Sequence, residues 1–218
     1  MISRHLRTIL VLLSVLPIAG PFPARTQDLQ TQQLPQPKKE GGMPLLQALN
    51  ERHSTREFAP DKLSSQVLSN LLWAAWGINR SAGQRTAPSA SNRQEIDIYV
   101  VMADGAWLYD AAGNALKQVV TEDVRSLTGT QPFVKDAPVN LVYVADLAKG
   151  KRTTPADAEF YTGANAGFIA QNVYLFCASE GLVTVVRAMV DRAALAKALK
   201  LRPDQKIAFA QSVGYTKK

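Results

Sequence analysis

DAEFYTGANAGFIAQNVYLFCASEGLVTVVRAM, residues 157–189, joins the longest helical pattern in the chain to a run of β-branched residues. Apolar residues recur at three- and four-residue spacing through 157–179, which predicts one long helix. Gly181 is the expected helix stop, because glycine readily adopts the left-handed conformation that ends many helices. The following run, 183–189, predicts a strand. Small residues along the helix permit close packing, so it is the predicted dimer-forming element.

Periodicity and alternation on either side of this stretch predict the remaining elements. Helices are predicted at 44–49, 64–77, 121–127 and 192–200, and strands at 96–102, 107–109, 139–145 and 207–213. Strands and helices alternate without a clean repeat. The predicted class is therefore α+β, with a mixed, mainly antiparallel central sheet flanked by helices.

The first 24 residues have the layout of a secretory signal peptide. Arg4, His5 and Arg7 precede an apolar run at 8–19 that is too short to cross a bilayer as a helix. We therefore expect an exported protein, periplasmic or secreted, without stable membrane insertion. Residues 25–42 are rich in Gln, Pro, Lys and Gly and predict a flexible tether. Residues 43–218 remain as one domain, long enough for a core.

Charge and cysteine content narrow the classes of function. Without residues 1–24, the chain keeps 23 Lys and Arg against 18 Asp and Glu, a net charge of +5. These basic residues are scattered, so a phosphate-bearing small ligand accounts for them and no nucleic-acid partner is expected. Cys177 is the single cysteine, which leaves no intramolecular disulfide and no thiol cluster for a metal.

Sequence signatures of hydrolases and phosphate-binding loops are absent. The chain has no Gly-x-Gly-x-x-Gly or Walker loop, no His-Glu-x-x-His, no Gly-x-Ser-x-Gly and no Cys-x-x-Cys. Only two histidines occur, and one of them lies in the signal peptide. A histidine-based metal site or catalytic triad is therefore not expected.

Two polar clusters are the candidate binding segments. Residues 52–56 read RHSTR, and two guanidiniums four residues apart can converge on a phosphate or on ring oxygens. Residues 85–94 read RTAPSASNRQ, a loop dense in hydrogen-bonding groups between a helix and a strand. By themselves the clusters leave alternatives open, namely a solvated helix end and an ordinary surface loop.

In this order, the two clusters resemble the nitroreductase family of flavoproteins. Arg52, Ser54 and Arg56 match its Arg-x-Ser-x-Arg motif, and Pro88, Ser89 and Ala90 followed by Gln94 match its Pro-Ser-small motif. Further similarities follow in family order at 71–80, 137–138, 181–182 and 214–217. The resemblance spans residues 45–217, and it implies the nitroreductase-like form of the α+β fold.

The resemblance implies FMN bound at a homodimer interface, with residues from both chains in each site. Arg52 and Ser54 would hold the phosphate and ribityl end of FMN, with Lys217 adding charge at the phosphate, and Arg56 would lie near the pyrimidine edge of the flavin. The partner subunit would contribute Pro88, Ser89 and Ala90. The flavin ring near N5 would be lined by Gly181, Leu182 and Val183. No catalytic acid, base or nucleophile is implied, because the cofactor carries the redox chemistry.

The chain departs from the family pattern at three positions. His53, a further candidate for cofactor contact, stands where the family often has a second Arg, and Val183 stands where Gly is frequent. A branched side chain at Val183 would narrow the space over the flavin. Thr216 replaces the usual Pro after Gly-Tyr.

The implied activity is transfer of hydride or electrons between a donor such as NAD(P)H and a small organic acceptor, for example a nitroaromatic, quinone or enone. Two alternatives stay open: an exported flavin-binding or peptide-binding protein of the same fold without turnover, and a flavin-free structural dimer. Arg187 is a charge within an apolar strand pattern. It predicts either an interface salt bridge or a place near the site.

Overall fold

One antiparallel sheet organises the computed structural model of this chain, which describes residues 29–149 and 154–217. The elements are β1 Thr31–Gln33, α1 Leu45–Glu51, α2 Ser65–Trp76, β2 Ile96–Met102, β3 Gly105–Asp110, β4 Ala115–Val120, β5 Val139–Asp146, α3 Pro155–Glu180, β6 Leu182–Arg187, α4 Arg192–Ala198 and β7 Gln205–Tyr215. The strand order is β1-β4-β3-β2-β5-β7-β6, and each strand pair in the described ranges is antiparallel. The predicted α+β class with a mainly antiparallel sheet is confirmed.

The sheet is covered on both faces, which explains why its central strands are apolar along their whole length. On β5, Leu141 and Tyr143 point to the cluster that contains α2 and α3. Val142 and Val144 point to the opposite cluster, which contains Leu195 of α4. All eight residues of β5 are buried. The two helices α2 and α3 thus form one layer, and α4 with short 3-10 segments forms the other.

The helices begin and end where local chemistry predicts. The Ser64 side chain accepts the backbone N–H of Val67 at 3.2 Å at the start of α2. The α3 helix ends at Gly181, whose φ of +69° is the left-handed conformation that favours glycine. In the described part of the chain, no helix combines the length and the apolar character needed to cross a membrane.

The predicted flexible tether is wrong over part of its length. β1 pairs with β4, with Gln32 opposite Leu116, and Leu34 is buried against the main core. A backbone hydrogen-bond ladder holds this segment, and such a ladder does not require apolar side chains, so composition could not reveal it. The predicted signal peptide, residues 1–24, lies outside the described residues.

The segment after the first hairpin also differs from the prediction. Residues 115–120 form β4, which the sequence pattern did not show, because Lys117 and Gln118 interrupt the apolar alternation. The helix predicted at 121–127 is wrong: only a short 3-10 turn occurs, at Arg125–Thr128. The long helix, the hairpin at 96–109 and the strands near 139–145 and 207–213 are confirmed.

Candidate functional site

Residues 52–56, here named the arginine segment, follow α1 and run beside β6, the edge strand of the sheet. The Thr55 N–H donates to the carbonyl of Thr184 in β6 at 3.0 Å. Four residues later, the Ala59 N–H donates to the Tyr215 carbonyl at 2.9 Å. The backbone of the segment is therefore anchored on the sheet edge, while Ser54 and Arg56 remain exposed.

Tyr174 of α3 connects the arginine segment to β6. Its hydroxyl lies 2.7 Å from Ser54 Oγ and accepts the Val186 N–H at 3.0 Å. The Arg52 guanidinium carbon lies 5.2 Å from the centroid of the Tyr174 ring, within cation–π range. Sequence reasoning missed Tyr174, which ranks among the apolar positions of the α3 pattern and gave no separate signal.

The positive charges of the arginine segment are uncompensated. Among the described residues, neither Arg52 nor Arg56 forms an ion pair with a carboxylate. His53 is exposed, and its Nδ1 lies 2.7 Å from the Glu51 carbonyl oxygen. Two guanidiniums without carboxylate partners on one backbone-anchored segment are suited to binding a phosphate or a carboxylate.

A cavity of about 330 Å³ adjoins this segment at Tyr174. It is lined by Gly167, Ala170, Gln171, Tyr174, Val186, Arg187, Ala188 and Phe209. A Cβ added at Gly167 would meet nothing within 4 Å, so the outward side of α3 is open there. A flat ligand can therefore lie against α3 and the end of β6, with its charged end at the arginine segment.

The cavity lies beside the end of β6. The family resemblance instead placed the flavin ring at the start of that strand. Gly181 is the helix cap, Leu182 is buried in the main core, and Val183 packs with the cluster around Phe58 and Val185. None of these three residues lines the 330 Å³ cavity. Val183 does not line that cavity, and the expected effect of its branched side chain on the space over the flavin stays a prediction.

The Arg187 side chain is 5% exposed and is held by neutral partners. Nη2 donates to Asn140 Oδ1 at 2.6 Å and to Ser212 Oγ at 2.8 Å, and Nη1 donates to the Thr128 carbonyl. No carboxylate contacts it within the described ranges. Burial lowers the pKa of Arg187 to about 10. The guanidinium thus clamps β5, β6 and β7 to the 3-10 turn.

The second candidate segment, residues 85–94, lies in a loop that also includes residues 83 and 84, and residues 83–94 are here named the polar loop. Gln94 Oε1 accepts from Arg85 Nε at 2.8 Å, and its Nε2 donates to the Gly83 carbonyl at 3.1 Å and to Asn92 Oδ1 at 3.0 Å. The Ser89 hydroxyl accepts the Gln94 N–H at 3.0 Å. The predicted cofactor residues Ser89 and Gln94 therefore also shape the loop from within.

The polar loop rests on a different part of α3 from the arginine segment. The Ala90 N–H donates to Asn165 Oδ1 at 3.1 Å, whereas Tyr174 holds Ser54. Nine residues of α-helix separate the two contacts, a rise of about 14 Å and a rotation of roughly half a turn. One chain therefore does not bring Pro88, Ser89 and Ala90 onto the arginine segment.

Lys217, the remaining predicted site residue, lines a separate cavity of about 770 Å³. The basic residues Lys62, Arg125 and Lys135 line the same cavity. The described contacts do not join Lys217 to the arginine segment, because β7 ends at Tyr215 and the last residues continue past Pro138 and Phe58.

The described residues contain neither a cluster that could bind a metal ion nor a reactive thiol. No group of three or more His, Cys, Asp or Glu side chains there lies close enough to hold a metal ion. Cys177 is buried in α3, as its apolar surroundings predicted, and burial raises the pKa of its thiol. A reactive thiolate is therefore not part of this site.

Sequence and structure comparisons agree on one family. The Nitroreductase family matches residues 49–215. A nitroreductase homologue of Methanocaldococcus jannaschii is 31% identical over 147 residues, which cover 63% of this chain and 74% of that protein.

Solved structures give the same result. A nitroreductase-type protein of Ralstonia eutropha JMP134 has a TM-score of 0.83 and 41% identity, covering 86% of this chain and 90% of that one. A Staphylococcus epidermidis protein named for NAD(P)H:FMN oxidoreductase activity has a TM-score of 0.63 at 14% identity, covering 84% and 92%, and shows the fold alone. The family match covers well over half of this chain, and with it the arginine segment, the polar loop and the 330 Å³ cavity. The chain is therefore a member of the nitroreductase family, a family of oxidoreductases.

Proposed function

We propose that this protein is an exported, homodimeric, FMN-dependent oxidoreductase that passes electrons from a donor such as NAD(P)H to a small organic acceptor. Nitroaromatics, quinones and enones are the acceptor class that an open flavin site would take. The observation that carries the proposal is the Arg52 guanidinium, which has no carboxylate partner among the described residues and lies over the ring of Tyr174, a residue that lines the 330 Å³ cavity. FMN offers both a phosphate and a flat ring to such an arrangement.

The residues present fit FMN. Arg52 and Ser54 would hold the phosphate end, because both side chains contact Tyr174 at the edge of the cavity and the backbone of their segment is fixed on β6. Residues 186–188 and the small side chains of α3 would lie along the ring. When bound, FMN supplies the redox chemistry, and the chain supplies position and positive charge.

A second copy of the chain would complete the site. Leu45, Leu46 and Leu49 of α1 are 63%, 80% and 46% exposed, and Phe160 and Phe168 of α3 are 70% and 46% exposed. Exposed apolar side chains on both helices favour an interface with another chain. Because the two candidate segments rest about 14 Å apart on α3, the polar loop can serve the site of the other copy. Size-exclusion chromatography with light scattering tests the dimer.

Export raises a question about the electron donor. Nicotinamide cofactors are scarce outside the cytoplasm, so export leaves two alternatives to NAD(P)H as the donor in the cell: another electron donor, or turnover as a dehydrogenase or oxidase. The proposal of export rests on the residue pattern at 1–24. Cell fractionation of the tagged full-length chain tests it, and recovery of an uncleaved protein in the cytoplasm would contradict it.

The visible absorption spectrum of the purified mature protein tests the cofactor. We expect flavin bands, or their recovery after incubation with FMN, and bleaching on anaerobic addition of NADH or NADPH. Absence of flavin bands even with added FMN would overturn the assignment. A yellow protein that no nicotinamide donor reduces would favour the alternative, a flavin-binding protein without turnover.

A further inference from the structure

A buried Glu–Asn pair links the polar loop to α3 and to the sheet. Asn165 and Glu95 are 1% and 5% exposed. Asn165 Oδ1 accepts the Ala90 N–H at 3.1 Å, and Asn165 Nδ2 donates to Glu95 Oε1 at 2.6 Å. Glu95 is itself fixed next to β2, because its carbonyl accepts the Asp146 N–H at 2.8 Å. Loop, helix and sheet thus meet at one side chain.

The orientation of the Asn165 amide follows from this geometry. A carboxylate only accepts hydrogen bonds, so Glu95 requires the amide NH₂ of Asn165 on its side. That requirement leaves the amide oxygen facing Ala90, where the backbone N–H can only donate. Glu95 therefore determines which end of Asn165 meets the loop, and it acts on the loop through Asn165.

The polar loop needs such support because its backbone is unfavourable. Ser91, Asn92 and Gln94 have φ values of +53°, +49° and +51°. Left-handed backbone is unfavourable for most non-glycine residues and persists only where the surroundings fix it. The Gln94 side chain fixes the end of the loop nearest Arg85, and Asn165 fixes the end at Ala90.

Burying Glu95 is itself costly. Its second carboxylate oxygen, Oε2, is buried and has no hydrogen-bond partner among the described atoms. An apolar residue at this position would avoid that desolvation. The buried Glu95 carboxylate instead faces the Asn165 amide, and this arrangement is best explained if it fixes the polar loop in a single conformation.

We propose that Asn165 and Glu95 are positioning residues that hold Pro88, Ser89 and Ala90 in the shape that receives the FMN of the partner subunit. This inference rests on the proposed function for its ligand. Its structural part, the effect of the two residues on the loop, holds independently of FMN.

The test compares four variants with the wild-type dimer. Asn165→Ala and Glu95→Leu remove the link, Glu95→Gln keeps the accepting oxygen, and Asn172→Ala is the matched control. Asn172 lies on the same helix and donates to the Ala74 carbonyl at 3.0 Å, with no hydrogen bond to the loop among the described contacts. Two properties are measured: hydrogen exchange of residues 83–94 in FMN-free protein, and FMN affinity by fluorescence titration.

We expect faster exchange in residues 83–94 and at least about tenfold weaker FMN binding for Asn165→Ala and Glu95→Leu. Glu95→Gln and Asn172→Ala should stay within about twofold of the wild type. Unchanged exchange and affinity in a folded Asn165→Ala variant would overturn the inference. If Asn165→Ala does not fold, hydrogen exchange and FMN affinity are compared between Glu95→Leu and Glu95→Gln, and this comparison tests the inference.

The two proposals fail in distinguishable ways. Wild-type protein that binds no FMN contradicts the proposed function, and the exchange readout then decides the loop inference alone. Wild-type protein that binds FMN, together with variants that bind it equally well, contradicts only the positioning role.

Discussion

The arginine segment and the polar loop look alike in the sequence and differ in the structure. Both are short, polar and rich in arginine. The arginine segment is attached by its backbone to β6 and leaves Arg52 and Arg56 without carboxylate partners. The polar loop instead directs Arg85 and Gln94 inward, to bonds within the loop.

This difference distinguishes side chains that can bind a ligand from side chains that stabilise the fold. Charged side chains on a segment held by its backbone are free for a ligand, so their removal should lower affinity and leave stability unchanged. Side chains that satisfy their own loop are structural, so their removal should lower stability first. Four substitutions test this distinction, in order of decreasing expected effect on stability.

Arg187→Met should cause the largest loss, because the scaffold behind the arginine segment depends on this clamp. Asn140, Ser212 and the Thr128 carbonyl would lose a buried donor, and we expect about 3 kcal/mol lower unfolding free energy. Urea denaturation measures it. Lys117→Met is the control, since Lys117 pairs with Asp110 at the surface, where the two side chains are 56% and 27% exposed, and such exposed pairs contribute under about 1 kcal/mol. Equal losses in the two variants would contradict the clamp.

Gln94→Ala should lower stability by about 2 kcal/mol, because three hydrogen bonds of the polar loop disappear together. Thermal unfolding measures this loss. Gln47→Ala serves as the control, since Gln47 is exposed and makes a single bond to Glu51. A Gln94→Ala protein as stable as the control would show that the loop does not depend on its internal bonds.

Tyr174→Phe should cost about 1 kcal/mol, because the Val186 N–H and the Ser54 hydroxyl lose one shared partner. The ring beneath Arg52 is retained, so the effect isolates the hydroxyl. Tyr161→Phe is the matched control, because a phenylalanine ring at this position keeps the cation–π contact with Arg93. We expect FMN affinity to fall several-fold for position 174 only.

Arg52→Ala should leave stability within about 0.5 kcal/mol of the wild type and weaken FMN binding at least about tenfold. Isothermal titration measures the affinity, and urea denaturation measures the stability. Lys206→Ala removes one exposed charge elsewhere on β7 and should change neither property. A stability loss in Arg52→Ala as large as that in Gln94→Ala would erase the distinction between the two segments.

Most of the fold could be predicted from local pattern. The apolar period of three to four residues located α2 and α3, and Gly181 marked the end of α3 by its backbone freedom. β-branched apolar runs located β2, β5 and β7. β1 was not predicted, since its partner β4 lies more than eighty residues away along the chain and the pairing depends on backbone bonds. β4 was not predicted, because Lys117 and Gln118 interrupt its apolar alternation.

The candidate site divides in the same way. Residue type and spacing made the arginine segment a candidate, because two guanidiniums four residues apart can converge on a phosphate, and its order with the polar loop carried the resemblance to the family. Only the tertiary structure placed the cavity at residues 186–188, joined Tyr174 to Ser54, and set the polar loop about 14 Å away on the same helix. Those relations depend on which elements pack together, and packing is a property of the whole chain that no local run of residues encodes.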